Sequence, residues 1–228
     1  MTFIDQFKQN FIEENRWKYI LNGLGVTLRV TLFAVLIGIA IGFIVAIIRS
    51  TYEKTGKLKI LNLLANIYLT VIRGTPVVVQ LLIIYFVIFS SVRVDKIFVA
   101  IIAFGINSGA YVAEIIRSGI MSIDPGQMEA GRSLGFNYIQ TMCYIIIPQA
   151  FKNVLPALGN EFIVLLKETS VAGYIALEDL TKGADIIRSQ TYSPFVPLLS
   201  VAAIYLGIVM LLTFLLKKLE RRLRSSER

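Results

Sequence analysis

Nineteen consecutive residues without a charge, Val30–Ile48, and twenty-two more, Phe195–Leu216, limit what this chain can fold into. Two further uncharged runs, Ile97–Ala113 and Val77–Val92, have 17 and 16 residues. A bilayer is crossed by roughly 17–25 apolar residues in a helix. Such runs must be helical in lipid, because every backbone N–H and C=O needs a partner within the chain. A mean hydropathy of +0.70 over 228 residues agrees. The expected fold is an all-α integral membrane protein with about five transmembrane helices. These are Gly23–Ile48, Leu61–Ser90 interrupted at Arg73-Gly74-Thr75-Pro76, Ile97–Arg117, Gln149–Lys167 and Phe195–Leu216.

The basic residues set the orientation. Residues 49–59 carry net +3 and the tail 217–228 carries net +4, whereas residues 168–196 carry net −2 and residues 1–21 balance. Positive ends face the cytoplasm. The N-terminus is therefore expected outside, as an external segment over residues 1–22. Residues 23–216 form the transmembrane part, and 217–228 a cytoplasmic basic tail. The net charge of +8 is explained by these helix ends, so no nucleic-acid partner is expected. With no His and the single Cys143, neither an internal disulfide nor a transition-metal site is expected. The first 20 residues are mixed polar and lack the compact apolar core of a signal peptide.

One stretch does not belong in lipid. Between the third and fourth crossings, Met128–Phe151 carries Glu129, Arg132, Asn137 and Gln140, with glycines at 131 and 135. Asp124 before Pro125 suits a helix N-cap followed by proline at the first helical position. Gln127, three residues beyond Asp124, has capping-box spacing. Gly135 suits the position just past a helix end. A second short helix is expected over Phe136–Ile147, ending at Pro148. Two uses fit this stretch: an interfacial amphipathic helix, or a docking element whose glycines let another surface come close.

Here the sequence resembles a known family. Glu129-Ala130-Gly131, then Gly135, then Ile147-Pro148 is similar to the E-A-A…G…I-x-L-P signature of the membrane subunits of ATP-binding-cassette importers. It departs at Gly131, in place of the second Ala, and at Ile-Ile-Pro. Arg73-Gly74-Thr75-Pro76 with Gln80, Lys167-Glu168-Thr169-Ser170, and Asn107-x-x-x-Tyr111-x-x-Glu114-x-x-Arg117 resemble motifs of the permeases for glutamine, histidine and basic amino acids. The resemblance runs from about Gly23 to Leu216. It implies a type I ABC importer transmembrane domain in a bacterial plasma membrane. It also implies a cytoplasmic coupling helix within residues 122–147, with Glu129, Ala130, Gly131, Arg132 and Gly135 as the ATPase-coupling residues. The implied partners are two copies of an ATPase subunit, a second permease subunit, either in a homodimer or as a relative of this chain, and an extracytoplasmic amino-acid-binding protein. The chain has no G-x-x-x-x-G-K-[ST] phosphate loop. It is thus expected to be a transport subunit rather than an enzyme, with no cofactor of its own. ATP and Mg are expected in the partner.

Ionisable groups within a span are costly and mark candidate sites. Glu161 lies in the fourth crossing beside Asn160, and either faces the pathway or pairs with Lys152 or Lys167. Asn107, Tyr111, Glu114 and Ser118 are spaced to share one helical face, with Arg117 placed to pair with Glu114. The interruption at Arg73, Gly74 and Thr75 either frees backbone groups, as in transporters with discontinuous helices, or is a simple proline kink. The chemical expectation is a substrate carboxylate at Arg73, Gly74 and Thr75, with Glu161 and Glu114 facing an ammonium. Two carboxylates at one site favour arginine, lysine or histidine, and one alone leaves glutamine open. The acidic residues Glu178, Asp179 and Asp185 are expected either to dock the external binding protein or to form a solvated loop. Gly38-x-x-x-Gly42 offers a packing face either to a second copy or to another helix of the same chain. A secondary transporter is the alternative of another class. A channel or membrane enzyme is disfavoured by the lack of a filter, nucleophile–base pair or metal set.

Overall fold

The computed structural model describes residues 2–225, so the last three residues of the predicted basic tail lie outside the described residues. It is built from helices: α1 (Phe3–Phe7), α2 (Trp17–Thr55), α3 (Lys59–Gly74), α4 (Val77–Ile83), α5 (Lys96–Met121), α6 (Pro125–Ser133), α7 (Tyr138–Thr141), α8 (Ile147–Glu168), α9 (Leu180–Thr191) and α10 (Phe195–Ser225). π-Helical turns extend α1 over Lys8–Ile12 and α4 over Ile84–Ile88, and join α7 to α8 over Met142–Ile146. No strand occurs among the described residues.

By length and composition, α2, α5 and α10 can each cross a membrane, and α3 with α4 makes a fourth span if the bent pair is one. The helix α8, with 22 residues, is about 33 Å long at 1.5 Å per residue. It has the reach of a crossing, but Lys152, Asn153, Asn160, Glu161 and Lys167 keep it more polar than the others. The first crossing is longer than the 26 residues expected. The uncharged run sets only the lipid-embedded part, and α2 continues for 39 residues until Gly56, at φ +67°, stops it.

The second crossing is not a kinked rod. α3 and α4 meet at 111°, which excludes a simple proline kink. Nor does Pro148 end a helix: it sits in the first turn of α8, where a missing N–H costs nothing.

The centre of the fold is the crossing of α2 and α5. A β-carbon on Gly38 would lie 2.8 Å from Ser108 Oγ, and one on Gly42 2.6 Å from a Val112 methyl. Gly105 and Gly109 of α5 meet Ile37 and Ile41 in the same way. The Gly38–Gly42 face is thus used inside the chain. Around it pack Val30, Ala34, Leu81, Phe104 and Leu165. A second cluster, Phe11, Ile20, Leu180, Ile187 and Val196, ties the N-terminal segment to α9 and α10.

Candidate functional site

The break between α3 and α4 leaves the last carbonyls of α3 without helical partners. Gln80, on the first turn of α4, takes them. Its Nε2 donates to Ile72 O (2.7 Å), Thr75 O (3.0 Å) and Thr75 Oγ1 (2.9 Å). Its Oε1 accepts from Asn107 Nδ2 at 3.0 Å, fastening the break to α5. The Thr75 hydroxyl is itself committed, donating to Val71 O at 2.8 Å. Gly74 faces open space. Asn107 is buried, and its Oδ1 has no hydrogen-bond partner.

Below the break lies a cavity of about 430 Å³, walled by Arg73, Tyr111, Glu114, Ser118, Asn153 and Glu161 among others. Four predicted site residues, Arg73, Tyr111, Glu114 and Glu161, therefore meet in one space. Gly74, Thr75, Asn107 and Asn160 do not line it. Asn107 serves the break, and Asn160 is exposed, two turns along α8 from the cavity-lining Asn153.

The two carboxylates of the cavity differ. Glu114 is surrounded by guanidinium groups: Arg117 Nε donates to Oε1 at 3.1 Å, and Arg49 and Arg73 approach Oε2 at 3.4 and 3.9 Å. The expected Glu114–Arg117 pair is therefore present, within a larger cluster joining α2, α3 and α5. Arg73 also stacks over the Tyr111 ring, 5.8 Å from its centroid, leaving its guanidinium on the cavity wall. Glu161 is buried, with Ser108 Oγ donating to it at 2.8 Å. No ion pair holds it among the described residues, so neither Lys152 nor Lys167 neutralises it. Glu168 lies two turns further on the same face of α8, near enough for the two charges to repel.

The sequence reading missed Gln80, Ser108, Arg49 and Glu168 as site residues. Gln80 and Glu168 stood within quoted motifs. Ser108 and Arg49 carried no local signal, because their roles depend on which helices cross.

The segment between α5 and α8 is built as a capped unit. Asp124 Oδ1 accepts from Gly126 N at 2.7 Å. The expected capping box with Gln127 is absent, because the Gln127 side chain turns to Gln149 instead (3.3 Å). A capping box does form one helix later, between Asn137 and Gln140. Gly135, at φ +86°, ends α6 with Phe136 N donating to Gly131 O at 3.2 Å, the expected left-handed cap. Glu129, Ala130, Arg132 and Gly135 are exposed, but Gly131 is buried. The surface that comes close to Gly131 belongs to the chain itself: an added β-carbon would sit 2.5 Å from the Thr141 methyl. The unit is joined to the cavity helices through Asn153 of α8, which donates to Ser122 Oγ at 2.9 Å, while Ser122 donates to Gly119 O of α5.

At the opposite end, the loop expected to be acidic is mostly self-compensated. Asp185 pairs with Lys182 (2.8 Å) and with Arg188, which hold its carboxyl below its usual range. Asp179 is buried and caps α9, accepting from the backbone N–H groups of Lys182 (3.0 Å) and Thr181 (3.2 Å). Burial pushes its carboxyl up to about 6. Glu178 remains as the exposed acid of the three.

Residues 38–225 match the family described as binding-protein-dependent transport system inner membrane component. A putative glutamine transport system permease protein of Rickettsia typhi is 40% identical, covering 90% of this chain and 93% of that protein. An arginine transport system permease protein of Bacillus subtilis is 38% identical, covering 92% and 94%. Among solved structures, a crystal structure of an amino acid ABC transporter with histidines superposes with a TM-score of 0.86 at 43% identity, covering 97% of this chain and 99% of that one. A methionine ABC transporter in inward-facing conformation, 18% identical with a TM-score of 0.75, covers 92% and 98% and shares the fold.

Proposed function

Because this chain belongs to the binding-protein-dependent transport system inner membrane components, we propose that its cavity holds an amino acid during passage and that this amino acid is basic. The chain is a permease subunit of an amino-acid ABC importer, with the type I permease fold, and ATP hydrolysis lies in a separate subunit. The observation that carries the substrate reading is Glu161. It is a buried carboxylate at the cavity wall whose partner is a hydroxyl rather than a cation. A buried charge is tolerated when a counter-charge completes it, and the side-chain cation of a basic substrate does so. Arg73, the outermost and longest-range of the three guanidinium groups on Glu114, takes the α-carboxylate. Thr75 and Gly74 contribute through the shape of the break. Glu168 adds a second negative charge along α8.

Glutamine is the second reading, favoured by the commitment of Glu114 to three arginines. That leaves Glu161 as the one carboxylate of the cavity free to meet an ammonium. The two readings separate in proteoliposomes containing the assembled importer. Glu161→Gln should reduce ATP-driven uptake of arginine or lysine by roughly ten- to a hundredfold, from the loss of about 1.5–3 kcal/mol of charge-assisted bonding, and that of glutamine much less. Equal losses for both would reject the basic-substrate reading.

The remaining assembly follows the same reading. Two ATPase copies, which hold ATP and Mg, engage the exposed face of α6 through Glu129, Ala130 and Arg132, with Gly135 setting the end of that helix. Gly131 acts from within by seating α6 on Thr141. Bond chains through Ser122, Asn153 and Gln149 pass movement of α6 to α5 and α8. The N-terminus lies outside, the C-terminus in the cytoplasm, and an amino-acid-binding protein delivers at the α9 end. A second copy completes the pathway. Asn153, Asn160 and Lys167, seven residues apart in turn, make one exposed polar stripe on α8 that is unsuited to lipid.

A further inference from the structure

Residues 2–16 have no part in the cavity or in α6, yet they are held with care. Asn10 is fully buried: its Nδ2 donates to Gln6 O (2.7 Å) and Ser193 Oγ (3.2 Å), and its Oδ1 accepts from Thr191 Oγ1 (2.8 Å). Arg16, also buried, donates to Gln9 O (2.6 Å) and Gln190 Oε1 (3.3 Å). Glu14 and Asn15, both at positive φ, fold the chain back sharply between this segment and α2. One side of the segment is therefore locked onto the turn between α9 and α10.

Its other side is apolar and uncovered. Ile4, Phe7 and Ile12 are 69%, 45% and 57% exposed. Ile4 and Phe7 are three apart on α1. Ile12 follows Phe7 by five across the π-turn that spans Lys8–Ile12, whose wider winding keeps it on roughly the same side as Ile4 and Phe7. Beside them stand exposed Trp17, with Lys18 Nζ 6.0 Å from its ring centroid, and exposed Tyr192 and Phe195 at the start of α10. Tryptophan, tyrosine and lysine with short apolar helices are the chemistry of a bilayer's headgroup boundary. The two membrane-crossing helices that adjoin this segment also carry exposed apolar side chains, Leu21, Leu28 and Leu32 on α2 and Leu198 and Leu199 on α10.

We infer that residues 2–16 form an interfacial anchor that lies in the headgroup region of the bilayer, at the end of the molecule opposite α6. Ile4, Phe7 and Ile12 enter the lipid, and Asn10 and Arg16 bind the anchor to the α9–α10 turn. The occupant of the apolar side is lipid, and the anchor fixes the height and tilt of α2, α9 and α10 as a unit.

Trp17 is the single tryptophan of this chain, so the difference in emission between the assembled importer in nanodiscs and its Trp17→Phe variant isolates this position. Its emission should be blue-shifted from that of tryptophan in water. It should be lost more to lipids brominated near the glycerol than to lipids brominated at the chain end. In a Trp17→Phe background, Phe7→Trp and, separately, Ile4→Trp move the reporter into the segment at exposed positions; both should show the same shift and the same shallow quenching. Water-like emission open to an aqueous quencher, unaffected by bromine, would overturn the anchor. So would a reporter untouched by bromine but shielded when the external binding protein is added, since the face would then belong to a protein.

Discussion

Glu114 and Glu161 show how far environment, rather than residue type, sets a role. Both line one cavity on membrane-crossing helices, but three guanidinium groups surround the first and a serine hydroxyl the second. The Arg117 contact was legible from its i+3 spacing. The approach of Arg49 and Arg73 was not, because it depends on where α2 and α3 cross α5. A third acid, Asp179, gives a separate test away from the cavity and outside the membrane-crossing helices themselves. Its folded carboxyl titrates at about 6 against an ordinary 3.8, because burial opposes its charge. A raised acid favours folding fully below the ordinary value, and that contribution is lost as pH rises through about 6. The difference of about two units corresponds to about 3 kcal/mol. Asn caps a helix as well as Asp does, so Asp179→Asn should keep the α9 cap while removing the titration. Thermal unfolding should then show the wild-type chain losing stability relative to the variant between pH 3.8 and about 6. A constant difference across that window would mean that Asp179 is not the titrating group.

At the scale of elements, the uncharged runs located α2, α5 and α10, because lipid demands apolar length regardless of tertiary context. They did not give the ends of α2 or the sharpness of the α3–α4 break. The 111° turn depends on Gln80 taking carbonyls from residues 72 and 75 and on Asn107 holding Gln80, an arrangement no local window contains. The same limit applies to Gly38-x-x-x-Gly42, whose spacing announces close packing but not the partner. With α5 as that partner, Gly42→Leu forces a side chain against Val112 and Ala113. It should destabilise the isolated chain by about 1–3 kcal/mol, as overpacked cores do. Unfolding in detergent at a dilution where no dimer persists would read this. A variant as stable as wild type there, but defective in association, would return the glycines to a dimer interface.

For the whole molecule, the informative surface is where polarity and exposure coincide inside the membrane. The stripe Asn153–Asn160–Lys167 on α8 was readable as helical spacing only once the structure had put Glu161 inward and Asn160 outward. If a second copy covers the stripe, Asn160→Cys in a Cys143→Ser background should form an inter-copy disulfide in the assembled importer. The same cysteine placed at Phe214, on the lipid-facing side of α10, should not. Equal cross-linking at both positions would remove the stripe from the interface. If this chain itself reads an amino acid through Glu161, binding does not need the external binding protein. The most direct measurement is binding of arginine, lysine, histidine, glutamine and glutamate to the purified membrane complex without the external binding protein, followed by thermal shift. The basic members should stabilise the complex, and that stabilisation should disappear in Glu161→Gln. Stabilisation by none of them, or by all of them unchanged in the variant, would contradict this role of Glu161 and leave selection to the external binding protein.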